Sequence, residues 1–302
     1  MHIWQLTLLL RSYALERVDW EPYWHSILPN FHFPIALRNV LQPANLSEGQ
    51  YNYFNTGKEA LIYVPNANRK YRVAYKRSFP GKLAEVQGGD QGTYFVRKDL
   101  QEGQKMKLDF PKSQIKAKYL PRKVTESIPF SSNKLPEILN RFGIKPKSIQ
   151  AELVKETIEE CEEQAFEGED KFCATSPESL IDFGVSKIGK KVKVFTTEVD
   201  KETKPQDYNV KGVEKIGDKS VVCHKINYVY GVFYCHEIQA TKAFMVSLVG
   251  SDGTKAKAVA LCHYDTKLWN PQHLAFQMLK VKPGTVPICH FLSRGNLVWV
   301  PI

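Results

Sequence analysis

Four Cys-His dipeptides carry the chemistry most readily read from this chain: Cys223-His224, Cys235-His236, Cys262-His263 and Cys289-His290. Ten residues separate the first two, and twenty-five separate each later one from its predecessor. Four of the six cysteines and four of the eight histidines stand in them, an ordering that chance placement of two uncommon residue types does not give. Successive side chains leave a strand on opposite faces. If residues 221–226 are extended and residues 232–237 return antiparallel with Cys235 opposite Cys223, the thiols meet on one face. His224 and His236 then share the other face as diagonal neighbours, roughly 7–8 Å apart, a gap that two imidazoles can close around one ion.

Ligand type separates two metal chemistries. Zinc cysteines usually come as closely spaced pairs, and adjacent Cys and His on a strand point apart, so they do not readily chelate one ion. Cysteines tied up as disulfides leave an imidazole-only site, which suits copper(II) by donor softness and by the affinity order of the divalent metals. The competing reading is a plain disulfide framework with ordinary surface histidines beside it.

The spacing CH-x10-CH-x25-CH-x25-CH resembles the signature of the plant BURP-domain family. Flanking text agrees: Lys219-Ser-Val-Val-Cys-His224, Gly253-Thr-Lys-Ala-Lys-Ala-Val-Ala-Leu-Cys-His263 and Val281-Lys-Pro-Gly-Thr285. So do Tyr94-Phe-Val-Arg-Lys-Asp-Leu100, Ser127-Ile-Pro-Phe-Ser-Ser132, Cys173-Ala-Thr-Ser176 and Val298-Trp-Val300, which brings about two-thirds of the chain under the resemblance. It implies a disulfide-stapled α+β fold, predominantly antiparallel β with a few short helices. It divides the chain into an N-terminal leader and variable segment, residues 1–90, and a BURP domain, residues 91–302. Within the leader, Tyr23 to Asn30 and Ala36 to Leu41 resemble the segment that precedes the domain in seed-protein-type members.

Some members of that family resemble copper-dependent, autocatalytic cyclases that use dioxygen to join a Trp or Tyr side chain to another residue of a short core peptide. Others are regarded as seed, stress-response or cell-wall proteins with no assigned reaction. The resemblance carries copper ligation onto His224, His236, His263 and His290 and implies two copper ions. It does not by itself carry activity; in the cyclase reading the same four histidines are the catalytic residues, with dioxygen as co-substrate. The partner it implies is a core peptide, either the chain's own N-terminal segment or a separate precursor. Tyr13 and Trp20 are the candidate side chains for crosslinking in this chain, while Trp24 reads as core packing. No Gln-Pro-x-Gly-x-x-Trp segment and no repeat is found. The alternative function is a disulfide-stapled, metal-binding seed or wall protein without turnover.

The elements that must position these residues are mostly strands. Residues 221–226, 229–237, 243–249 and 256–263 read as extended, with Asp252-Gly253 the best turn signal. Residues 191–198 alternate as one strand whose Lys-rich start suits a solvated edge, and residues 105–110 alternate likewise. Ser148 can cap a helix carrying Ile149, Leu153, Val154, Ile158 and Cys161 at helical spacing. Residues 179–188 form a second helix and residues 272–278 a short third one, with His273 in its first turn facing solvent. His25 and His32 read as packing or surface residues. Residues 61–64 and 71–75 flank a turn and suit a hairpin, and residues 82–92 read as a linker.

Six cysteines allow fifteen pairings. The set expected is Cys161 with Cys173, Cys223 with Cys235 and, by elimination, Cys262 with Cys289. At 302 residues, 43% hydrophobic and 25% charged, the composition is that of an ordinary globular protein. The net charge of +10 is spread without a nucleic-acid motif or basic arm, so a nucleic-acid partner is not expected. The apolar run from Ile3 to Leu10 is too short to span a membrane and lacks a small-residue cleavage site. The family nonetheless implies the secretory pathway, where disulfides persist and where the Asn45-Leu46-Ser47 sequon is usable.

Overall fold

The computed structural model describes residues 19–41, 94–111, 117–202 and 204–302. Tyr13, the Asn45 sequon, the expected hairpin of residues 61–75 and the linker of residues 82–92 lie outside them.

Two antiparallel sheets make up the strand content of the described residues. One runs β1 (Tyr94–Val96), β11 (Ile288–Phe291), β10 (Lys255–His263), β9 (Thr241–Gly250), β6 (Gln206–Gly217), β2 (Lys105–Leu108), with β5 (Glu198–Val199) added to β10. The other runs β3 (Glu169–Ala174), β8 (Val232–Ile238), β7 (Val221–Ile226), β12 (Leu297–Pro301), β4 (Val192–Phe195). With its few short helices, among them α3 (Arg122–Thr125) and α4 (Leu135–Arg141), and three disulfides, the fold is the α+β class that the sequence implies.

The sheets meet through Val222, Val298 and Val300 on one side and Ala243, Val259 and Leu261 on the other. The outer face of the first sheet carries Phe95, Phe110, Tyr208, Phe244, Cys262 and Cys289. Helices cover the outer face of the second: α1 (Glu21–Ile27), α2 (Ile35–Leu41) and α6 (Pro177–Ile188) bury Trp24, Leu37, Leu180 and Ile181 with Trp299, Cys223 and Cys235. Part of the expected leader, residues 19–41, is thus built into this core. Gly184 lets α6 come down on Trp299: a Cβ there would stand 2.6 Å from the indole.

Helix starts follow their capping residues. Ser148 accepts from the Ala151 amide at the head of α5 (Ile149–Glu162), and Ser176 caps α6, which starts at Pro177 rather than Ser179. Leu153, Val154 and Ile158 of α5 are buried, whereas Ile149, in the first turn, is 56% exposed. Asp252-Gly253 makes the β9–β10 turn, with Gly253 at φ +82° and the Asp252 carboxylate accepting from Thr254.

Three expected elements differ. Residues 191–198 do not form one strand: the hydroxyls of Thr196 and Thr197 donate to the carbonyls of Asn296 and Leu292, and the chain steps from β4 in one sheet to β5 in the other. The strand expected from Val229 starts at Val232, because Tyr228 to Tyr230 turn into a second core cluster with α5 while Gly231 donates to the Lys118 carbonyl. The short third helix, α7, spans Leu274–Leu279, and His273 is its N-cap, 5% exposed instead of solvent-facing.

Candidate metal centre

The β7–β8 ladder sets Cys223 directly opposite Cys235, and the two form a disulfide. The β10–β11 ladder repeats the arrangement with Cys262 and Cys289, also bonded. Alternation then fixes where the histidines go. The cysteines lie in the two outer core clusters, so each following histidine turns toward the space between the sheets, on the same face as Val222 or Leu261. His224 and His236 are diagonal in register, facing Tyr234 and Val222 respectively, and their Nε2 atoms stand 3.3 Å apart. His263 and His290 face Ile288 and Leu261, with their Nε2 atoms 3.4 Å apart. The third disulfide, Cys161–Cys173, ties α5 to β3.

That separation is informative. Imidazole nitrogens bound at about 2.0–2.1 Å to one ion stand about 3.3–3.4 Å apart at a tetrahedral angle, whereas a good N–H···N bond is shorter, about 2.7–3.2 Å by analogy with other protein hydrogen bonds. Both pairs therefore bring two imidazole nitrogens close enough together to serve one ion. Among the described residues no three His, Cys, Asp or Glu side chains form one metal-holding group, so the donors come in twos.

The two pairs also sense one another. Burial, then charge on His236 and His290, holds His224 well below the ordinary imidazole range. Burial, then His290, His236 and His273, does the same to His263. His290 is pushed down to about 4 by burial, with His236 adding to it. Neutral imidazole is the form that binds metal, and burial favours that form at His224, His263 and His290.

Residues around the pairs were less legible in the sequence. His236 Nδ1 lies 2.9 Å from Glu169 Oε1, which also accepts from the Tyr234 hydroxyl at 3.1 Å. His263 Nδ1 lies 2.8 Å from the hydroxyl of Thr241, its direct partner across the β9–β10 ladder. Tyr94 stands opposite His290 in β1 and sets its ring 6.0 Å from that imidazole and 5.6 Å from His273. The Trp269 ring centre is 4.9 Å from His263 and 4.8 Å from His273. His273, with Nδ1 accepting from the Ala275 amide, is a fifth histidine at this centre; its signal was the Trp269-x3-His273 spacing after the third dipeptide, which says nothing until α7 is placed. His25 sits 3.7 Å from Glu21 on the surface, and His32 is exposed.

Of the two candidate substrate side chains, only Trp20 is described. It is 4% exposed and packs with Trp24 in the cluster on the outer face of the second sheet, away from the histidines. Trp24 is fully buried against Trp299, at 6.2 Å between ring centres, as expected of a packing residue.

A family model for the BURP domain matches residues 93–301. The chain is 50% identical over 214 residues to BURP domain protein RD22 of Arabidopsis thaliana, covering 68% of this chain and 55% of that protein. It is 40% identical over 289 residues to BURP domain-containing protein 5 of Oryza sativa subsp. japonica, covering 92% of this chain and 86% of that protein. BURP domain-containing protein 3 of the same rice is 47% identical over 213 residues, which is half of that protein's length. The chain thus spans about half the length of two of these relatives and most of the third.

Proposed function

This chain belongs to the BURP-domain family, and we propose that it is a copper-dependent oxidative peptide cyclase. It would join a Trp or Tyr side chain of a ribosomal core peptide to another residue of that peptide. The observation that carries the proposal is the pair of imidazole pairs, each with Nε2 atoms 3.3–3.4 Å apart and turned inward between disulfide-stapled strands.

In this reading His224 and His236 hold one ion, and His263 and His290 hold a second. Copper bound there supplies one-electron oxidation coupled to reduction of dioxygen. The remaining work belongs to the chain. The disulfides stop the paired strands from slipping, so the donor nitrogens stay in register. Glu169 and Thr241 orient His236 and His263 from behind. Val222, Leu261 and Val298 form an apolar wall that excludes water beside the imidazoles. Tyr94 and Trp269 offer aromatic faces against which an indole or phenol of the peptide can pack. Crosslinking removes two hydrogens from the peptide, and dioxygen accepts them.

The peptide is the chain's own N-terminal segment or a separate precursor. Burial of Trp20 weighs against reaction at that side chain in this conformation, which leaves Tyr13 or a precursor supplied in trans. Passage through the secretory pathway is part of the proposal, and it draws support from the pairing of all six cysteines, since disulfides persist in oxidising compartments.

The test is intact-mass and tryptic mass spectrometry of the purified protein before and after copper(II) addition in air, alone and with candidate precursor peptides. A loss of two hydrogens mapped to a Trp- or Tyr-containing peptide, with dioxygen consumed, is the expected result. Copper retained with neither change, across a panel of precursors, would leave a metal-binding protein without turnover.

A further inference from the structure

The two histidine pairs are not equivalent, and the difference lies in one buried carboxylate. Glu169 is at the start of β3, diagonal to His236, which faces Lys171 across the β3–β8 ladder. Its side chain is 2% exposed. Oε1 receives the Tyr234 hydroxyl and faces His236 Nδ1, while Oε2 is buried with no hydrogen-bond partner among the described residues. Lys171, the nearest cation in register, does not serve it: its ammonium donates to the Glu160 carbonyl at 2.8 Å. A carboxylate so enclosed is costly to keep in a fold unless its charge is used.

We propose that Glu169 is the positioning residue of the first histidine pair. An oxygen that already accepts from Tyr234 is placed to accept from the imidazole as well, so the His236 proton sits on Nδ1 and the Nε2 lone pair points at His224. Resting on the copper reading above, this makes the His224–His236 position the tighter of two metal positions, because a carboxylate behind a ligating imidazole raises its donor strength. Among the described residues the hydrogen-bond partners of the second pair are neutral: the Thr241 hydroxyl behind His263, and the Phe291 carbonyl 3.3 Å from His290 Nδ1.

Two measurements on the full chain test this. In metal-free protein, imidazole ¹⁵N NMR reads the tautomer directly: His236 is expected to carry its proton on Nδ1 in the wild type and to move toward the Nε2–H form in Glu169→Ala. Copper(II) titration against a competing chelator, followed by electron paramagnetic resonance, is expected to show two classes of site. In Glu169→Ala the tighter class weakens by roughly 10–100-fold with a changed spectrum, and the weaker class is untouched. Glu169→Gln, which keeps an acceptor oxygen without the charge, is expected to retain the tautomer and lose part of the affinity; it decides the matter where the alanine variant does not fold.

An unprotonated His236 Nδ1 in the wild type overturns the positioning role. So does copper binding of unchanged affinity and spectrum in both variants, and so does equal weakening of both classes. Wild-type protein that takes up no copper but shows the Nδ1–H tautomer would instead sink the copper reading and leave the role of Glu169 standing.

Discussion

Thr241 and His263 stand directly opposite one another at the end of the β9–β10 ladder, joined by a 2.8 Å hydrogen bond from which water is excluded. The contact holds the imidazole by Nδ1 and leaves Nε2 facing His290. Replacing Thr241 by Val keeps the shape and removes the hydroxyl, leaving a buried ring nitrogen unsatisfied, a loss of about 1–3 kcal/mol. Urea unfolding of Thr241→Val should show that loss, and copper titration should show weakening of one site class only; an unchanged midpoint together with unchanged titration would refute the role.

Separability of the pairs gives the next expectation. His236→Ala and His263→Ala should each lower copper stoichiometry by one ion, and the double variant should bind none, by elemental analysis after dialysis. A single substitution that empties both positions would mean that the four imidazoles serve one centre.

Acid should loosen the metal-free protein. His273 and His290 are lowered by burial from 6.5 to about 4, and His224 and His263 lie well below their ordinary value for the same cause. Between about pH 6.5 and 4 the unfolded chain binds protons that the folded chain refuses, so stability rises with pH across that window. It is complete above 6.5 and lost as the pH falls through the folded value. One unit is about 1.36 kcal/mol, so His273 alone contributes roughly 3 kcal/mol. Unfolding midpoints at pH 7, 5.5 and 4.5 measure the slope. His273→Asn, which retains an acceptor for the Ala275 amide, should flatten it, and a slope identical to the wild type would exclude His273 as a contributor.

The docked N-terminal helices should be worth as much as any core element. Trp24→Ala removes a fully buried indole packed on Phe33 and Trp299, a loss of about 3–5 kcal/mol. Gly184→Ala drives a methyl into the Trp299 ring and should cost about 1–3 kcal/mol. Thermal unfolding checks both, and a Trp24→Ala variant within a degree of wild type would mean that the helices are not integral.

Much of this architecture was readable because its signals are local. Alternation around Cys223 and Cys235 foretold both the staple and the shared face of His224 and His236, and Ser148 announced α5. The misses have physical reasons. Thr196 and Thr197 look like ordinary strand residues, and only the carbonyls of Asn296 and Leu292, 100 and 95 residues away in sequence, turn them into a crossing between sheets. Glu169 reads as one acid in an acidic stretch until β3 pairs with β8. His273 reads as solvent-facing until Tyr94, from the far edge strand, closes over it. Partners that meet only through long-range pairing leave no trace in a window of sequence.

The contact between Trp24 and Trp299 also has a bearing on how such a chain is made. Synthesis is directional, so α1 and α2 emerge early, yet the strand on which they close is among the last of the described elements to leave the ribosome. The β7–β8 hairpin can pair, and its disulfide can form, while its other neighbour, β12, is still unmade. Until Trp299 is made, the helices lack one of the side chains that cover their apolar face, and exposed apolar surface of that kind invites chaperones and mispairing. The fold is therefore sealed by two segments far apart in sequence, and loss of residues 297–301 after folding would undo at one stroke both an interior strand of a sheet and part of the anchorage of the helices.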